Sequence, residues 1–185
     1  MARLPDVKRE DIAPDMQYAY DEIAGSRGAV RGPFAMLLHS PDVAARIAHA
    51  GAYIRFETTL EGAVRELVIF TVARHWDCQY EFTAHQPIAE REGVRPETIA
   101  AVCDRTAPAG LDEHEALVFT YVNELLAKKR VPEATFDAMR AWLGDRSLID
   151  LSATIGYYSM LACVLDACAV VPEAGITPLL PDAGY

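Results

Sequence analysis

An all-α fold in a single domain is what the sequence predicts, on three observations. Apolar residues recur at helical spacing through most segments, and no stretch alternates convincingly with the period of two that a half-buried strand requires. The breaks between segments carry Pro, Gly, Ser or Asp at positions that start and stop helices. No diagnostic internal repeat is present. About seven or eight helices follow. A chain of 185 residues suits one full-sized core. It divides into an N-terminal tail (1–14), a helical domain (15–172) and a C-terminal tail (173–185).

The elements are justified in order. Pro14 and Asp15 open a first helix through Met16, Tyr18, Tyr20 and Ile23, which the segment GSRGAVRG (25–32) ends. That segment lacks the Lys-Ser/Thr pair of a phosphate loop and reads as a turn, anion binding being the lesser alternative. Pro33 to His39 forms one apolar turn. Ser40, Pro41 and Asp42 follow as cap, first-turn proline and first-turn acid of a helix through Ile47, Tyr53 and Phe56. The next helix spans about Gly62 to Trp76. Asp77 then caps a further helix that Pro87 interrupts or kinks and Gly93 ends. Pro96 starts a short helix to about Asp104, and Asp112 with Glu115 forms a capping box for the helix carrying Leu117, Val118, Tyr121 and Val122. Pro132 begins a helix ending near Gly144, and the last long helix runs from about Asp145 to Val170.

Charge narrows the function. With 17 Lys plus Arg against 27 Asp plus Glu the net charge is −10, which argues against nucleic acid and against an anionic membrane as partner. The run Lys128, Lys129, Arg130 closes a helix, where cations complement the carbonyl end. The N-terminus mixes charges and prolines without an apolar segment, so the expected location is cytoplasmic. The apolar run from Leu148 to Val171 contains Asp150, Ser152, Thr154 and Asp166, and reads as a buried helix, one that subunits can share, in preference to a membrane span. Cysteines at 78, 103, 163 and 168 form no C-x-x-C pair and no zinc-type quartet, and are read as reduced thiols. Cys163 and Cys168, among Ala, Val and Leu, are expected to pack.

The chemistry concentrates between Arg65 and His85. At about 100° per residue, Glu66 shares a face with Ala63, Ile69, Phe70 and Ala73, while Arg74 and His75 point elsewhere. On the following helix Cys78, Glu81 and His85 line up with Phe82, Ile88 and Ala89, and Gln79, Thr83, Gln86 and Glu90 take the opposite face. Two carboxylates, a thiol and an imidazole thus face inward. Burying such groups costs several kcal/mol unless partners or shifted pKa values compensate, and shifted groups gather at functional sites. The bland alternative is a polar cluster in which His85 and a glutamate satisfy each other. In the first turn of its helix Cys78 would gain thiolate character from exposed N–H groups.

These residues resemble the signature E-x(11)-C-x-x-C-x-x-x-H of the carboxymuconolactone decarboxylase and alkylhydroperoxidase superfamily. Glu66, Cys78 and His85 match it, and Glu81 stands in the second cysteine position. Gly32-Pro33-Phe34 and His39-Ser40-Pro41 add weaker likeness, so the resemblance covers most of the chain. It implies an alkylhydroperoxidase-like helical fold assembled as homotrimers or homohexamers. It also implies a departure: the peroxidases attack with one cysteine and resolve the sulfenic acid with the other, which Glu81 cannot do. Members resembling the lactone decarboxylases instead place a glutamate there and keep the histidine.

The function expected from this is a cofactor-independent acid/base enzyme acting on a small carboxylated lactone or related ring-cleavage acid, by decarboxylation or isomerisation. His85 is the expected proton donor, Glu66 or Glu81 orients it or holds a proton, and Arg74 and His39 are the candidate contacts to an anionic small-molecule substrate. A single-cysteine thiol peroxidase acting through Cys78, and a non-catalytic helical oligomer that binds a small ligand, are the alternatives. No cofactor or metal is expected, since Glu66, Glu81, Cys78 and His85 make a mixed ligand set without strong preference.

Overall fold

Residues 2–172, 175–176 and 179–180 are described by a computed structural model of the chain. Most of the C-terminal tail assigned to 173–185 lies outside the described residues. Among them the fold is all helical: α1 (Gln17–Arg27), α2 (Pro33–Leu37), α3 (Pro41–Ala52), α4 (Gly62–His75), α5 (Gln79–Glu92), α6 (Pro96–Cys103), α7 (Glu113–Lys128) and α8 (Glu133–Ala167). Short 3-10 turns at Arg9–Asp11 and Pro14–Met16 lead into α1.

The punctuation works largely as the sequence implies. Gly28 and Gly93 end α1 and α5 with φ of 76° and 92°, a conformation that costs an L side chain energy and glycine nothing. Asp112 accepts the Glu115 N–H at 2.9 Å and Glu115 returns a bond to the Asp112 N–H at 3.0 Å, completing the capping box of α7. Gly144 (φ 75°, ψ 169°) breaks α8 into two rods, 133–143 and 145–167, as the sequence placed them.

Three local expectations are corrected. Ser40 stands before α3 but its side chain makes no capping bond. α3 does not run through to Phe56: it ends at Ala52 and passes into a single π-helical turn, Tyr53–Glu57. Of the two outcomes expected at Pro87, interruption does not occur: α5 continues through it, although its ring has no N–H for the Thr83 carbonyl.

The core is organised around α4, where every residue from Glu66 to Ala73 is buried. Neighbouring helices enclose it on all sides; α5, α7 and α8 make its most extensive contacts. This is why α4 has no polar face in that span, and why the stripe drawn for it is too narrow. Phe70 of α4 meets Phe82 of α5 edge to face at 4.5 Å, fixing the two helices that carry the reactive groups.

By length and composition α8 is apolar enough to cross a membrane, but 56% of the relevant window is buried inside the fold. The remainder is a stripe: Ile149, Ala153, Gly156, Cys163 and Ala167 are exposed and Met160 half-buried, at alternating spacings of four and three residues. Cys163 is therefore not packed, contrary to the expectation for it.

Candidate functional site

Glu66 sits in the middle of the molecule, 1% exposed, and its Oε2 lies 2.7 Å from His85 Nδ1. Its other oxygen accepts a longer bond of 3.4 Å from Arg65 Nε. Burial alone would push the carboxyl up. The hydrogen bond and charge of His85, assisted by Arg65, outweigh it and hold Glu66 below the ordinary carboxylate value. With Glu66 ionised, Nδ1 carries the proton and donates it, which leaves Nε2 as the ring nitrogen available for exchange. The ring is held further by Tyr158, edge to face at 5.2 Å.

Glu81, one turn before His85, is placed in the opposite state. It is 3% exposed, and among the described residues neither carboxyl oxygen has a hydrogen-bond partner. Burial, together with the charge of Asp166, raises its pKa well above the ordinary carboxylate value and so favours the protonated form. The two glutamates are thus shifted in opposite directions, Glu66 bonded to the imidazole and Glu81 one turn before it on the same helix.

Glu81 and His85 both line a cavity of about 580 Å³, a volume suited to one small organic ligand. Thr83 and Gln86 line it as well, so α5 presents more than the predicted stripe. Apolar wall comes from Phe34, Pro87, Ile88 and Leu161, with Tyr80, Tyr157 and Tyr158 supplying aromatic surface.

The structure separates the other expected site residues from this cavity. Cys78 is fully buried in a small cluster with Ala162 and Leu165 and is not part of the wall. It occupies the cap position of α5, and Asp77 (φ 52°) does not cap that helix but pairs with Arg74 and Arg105. Burial, with the acid Glu81 beside it, pushes the thiol strongly up, so the expected thiolate character is reversed. Alkylation near pH 8 should label Cys78 at least about tenfold more slowly in the native protein than in the denatured chain. Comparable rates, read by peptide mass mapping, would contradict this.

Arg74 and His39 are also corrected. Arg74 donates to the Cys103 carbonyl at 2.7 Å and pairs with Asp77, and His39 Nε2 bonds the Pro5 carbonyl at 2.9 Å; neither lines the cavity. Among the described residues no group of three or more His, Cys, Asp and Glu side chains is placed to hold a metal ion.

The cations that do reach the cavity are Arg27, Arg31 and Arg55. Arg27 closes α1, and its guanidinium lies 4.2 Å above the Phe34 ring. Its Nη1 donates to Ser26 Oγ at 2.9 Å and its Nη2 reaches the Ala48 carbonyl at 3.4 Å. Tyr157 bonds Arg27 and donates its own hydroxyl proton to the Ile47 carbonyl at 3.2 Å. Residue 51 is glycine where this happens: a Cβ there would overlap the Tyr157 hydroxyl and stand 3.0 Å from Arg27 Nη2. Arg55 is carried by the π-helical turn, whose two ends are tied to Asp150. That carboxylate accepts from Tyr53 Oη at 3.2 Å, Thr58 Oγ1 at 2.8 Å and the Thr59 N–H at 3.1 Å.

Residues 41–124 match the carboxymuconolactone decarboxylase family model. Among curated proteins no relative matches. Similar solved structures include an uncharacterized peroxidase-related protein with an alkylhydroperoxidase AhpD core from Ralstonia eutropha JMP134. It has a TM-score of 0.78 at 19% identity, with 96% of this chain and 97% of that one covered. A second uncharacterized peroxidase-related protein, from Silicibacter sp. TM1040, gives 0.72 at 20% identity with 95% and 93% covered. The debrominase Bmp8, solved in complex with 2,3,4-tribromopyrrole, gives 0.67 at 17% identity with 91% and 90% covered. The matched segment contains the signature helices α4 and α5, and the solved structures share the all-helical fold of this chain over nearly its whole length.

Proposed function

We propose that this protein is a cofactor-independent acid/base enzyme acting on a small carboxylated lactone or related acid. One observation carries the reading: His85, which lines the cavity, is bonded at 2.7 Å to buried Glu66, and a second buried glutamate, Glu81, lines the same cavity with no hydrogen-bond partner among the described residues, their pKa values shifted in opposite directions. Sites that move protons at neutral pH depend on such divergent environments. In a decarboxylation the bond to the departing carboxylate breaks and its electron pair flows through the conjugated system onto the lactone carbonyl oxygen. Neutral Glu81 can donate a hydrogen bond to that oxygen, and His85 can return a proton to carbon while Glu66 balances the imidazolium charge. Isomerisation uses the same two proton positions without loss of CO2. The test is to incubate the protein with butenolide carboxylates in D2O and follow CO2 release and deuterium incorporation by NMR. Neither process occurring on any member of the panel would remove the reading.

Assembly as a homo-oligomer belongs to the same proposal. The exposed stripe on α8 supports it, because residues at alternating spacings of four and three form the seam along which helices of two copies interlock. Sedimentation equilibrium should return a multiple of the chain mass, and Ala153→Glu should reduce it. A monomeric wild type would dismiss this assembly.

A further inference from the structure

The cavity has a charge imbalance that the acid/base groups do not resolve. Its wall carries the guanidinium groups of Arg27 and Arg55, and among the described residues neither is paired with a carboxylate. Glu81, the acid that shares the wall with them, has no hydrogen-bond partner and lies buried. The two arginines also act on each other as like charges, through a region shared with Tyr157. In a protein of net charge −10, two cations that line one cavity with no carboxylate partner among the described residues are placed to receive an anion from solution.

Arg27 is held in place by neutral groups, and the position of Arg55 is set by the turn that carries it. Arg27 lies on Phe34 and bonds Ser26, Ala48 and Tyr157, which consume only part of its five donors. Arg55 rides on a turn whose ends Asp150 anchors without reaching Arg55 itself. Fixed guanidinium forks with donors to spare are what binds a planar carboxylate tightly and in one orientation.

We infer that Arg27 and Arg55, with the Tyr157 hydroxyl, form a carboxylate-anchoring subsite in the cavity that holds an unsaturated organic acid by a carboxylate which does not react. A guanidinium on a departing carboxylate would stabilise the charge that must leave and so oppose decarboxylation. The group anchored here is accordingly one that persists in the product. The apolar and aromatic wall from Phe34, Tyr80 and Leu161 suits a flat, unsaturated body between that anchor and His85. In naming the substrate class, this inference rests on the acid/base reading; the binding site itself does not.

The test uses benzoate and hexa-2,4-dienoate as fragments of the anchored acid, with benzamide as the uncharged control, and reads binding by calorimetry or ligand-observed NMR on the full chain. At least one carboxylate should bind with a Kd below about 10 mM, while benzamide binds at least about tenfold more weakly. Arg27→Met, which keeps a side chain on Phe34, and Arg55→Gln should each weaken carboxylate binding by about tenfold or more. Binding that is absent in the wild type, equal for benzamide, or unchanged in both arginine variants overturns the subsite. Normal thermal unfolding of Arg55→Gln guards against reading a folding defect as lost binding. Failure of the acid/base reading would look different: no turnover by the wild type, with arginine-dependent carboxylate binding intact.

Discussion

Replacing His85 with Ala, or Glu66 with Gln, is expected to lower turnover by about 10²–10⁴-fold on any substrate the wild type converts. The two substitutions act through different atoms. His85→Ala removes the group that exchanges a proton at the cavity, whereas Glu66→Gln preserves the shape and can still accept from Nδ1 but withdraws the negative charge 2.7 Å away. The second variant should therefore fold normally and lose the ability to balance an imidazolium. Its residual activity should move to a different pH range, since the hydrogen bond and charge linking the pair keep Glu66 ionised below its ordinary range. Steady-state rates measured across pH, with Cys78→Ala beside them as a variant that retains activity, separate this mechanism from thiol chemistry. Two variants with wild-type rates would end the acid/base assignment.

Glu81→Gln should stabilise the protein, and increasingly so as pH rises from about 4.3. The sign follows from the raised pKa of the folded state. Above the ordinary carboxylate value the unfolded chain has released this proton while the folded chain still binds it, so the wild type loses stability with each increment of pH until the folded group ionises. The slope approaches about 1.4 kcal/mol per pH unit in that window, and an amide at 81 removes it. Chemical denaturation of both proteins from pH 5 to pH 8 reads the difference. Parallel stability curves would mean that Glu81 is not proton-bearing in the folded state.

Helix order, the capping box at Asp112, the stop at Gly93 and the break at Gly144 were all readable from residue chemistry, because each depends on contacts within a few positions. So were the burial of Glu66, Glu81 and His85 and the likeness of their spacing to a known signature. The cavity-lining arginines were not. Arg55 is brought to the cavity by a π-helical turn, where the regular 100° step fails. Arg27 sits in a segment that reads as a turn because of its glycines, and only the packing of α1 against α3 brings it beside Tyr157. Arg74, expected as a contact to an anionic substrate, points from α4 to Cys103 and Asp77, the helical spacing already turning it away from Glu66. Cys78 was judged by the helix terminus it occupies, while the apolar cluster around it decides its chemistry.

Gly51 is remote in sequence from both reactive glutamates, yet the room it leaves is filled by the Tyr157 hydroxyl and by one nitrogen of Arg27. A methyl group there would have to displace that tyrosine and crowd the guanidinium next to it, two cavity-lining groups that take no part in the Glu66–His85 hydrogen bond. The shape of the cavity can therefore be altered from the back of α3 with no substitution at Glu66, Glu81 or His85.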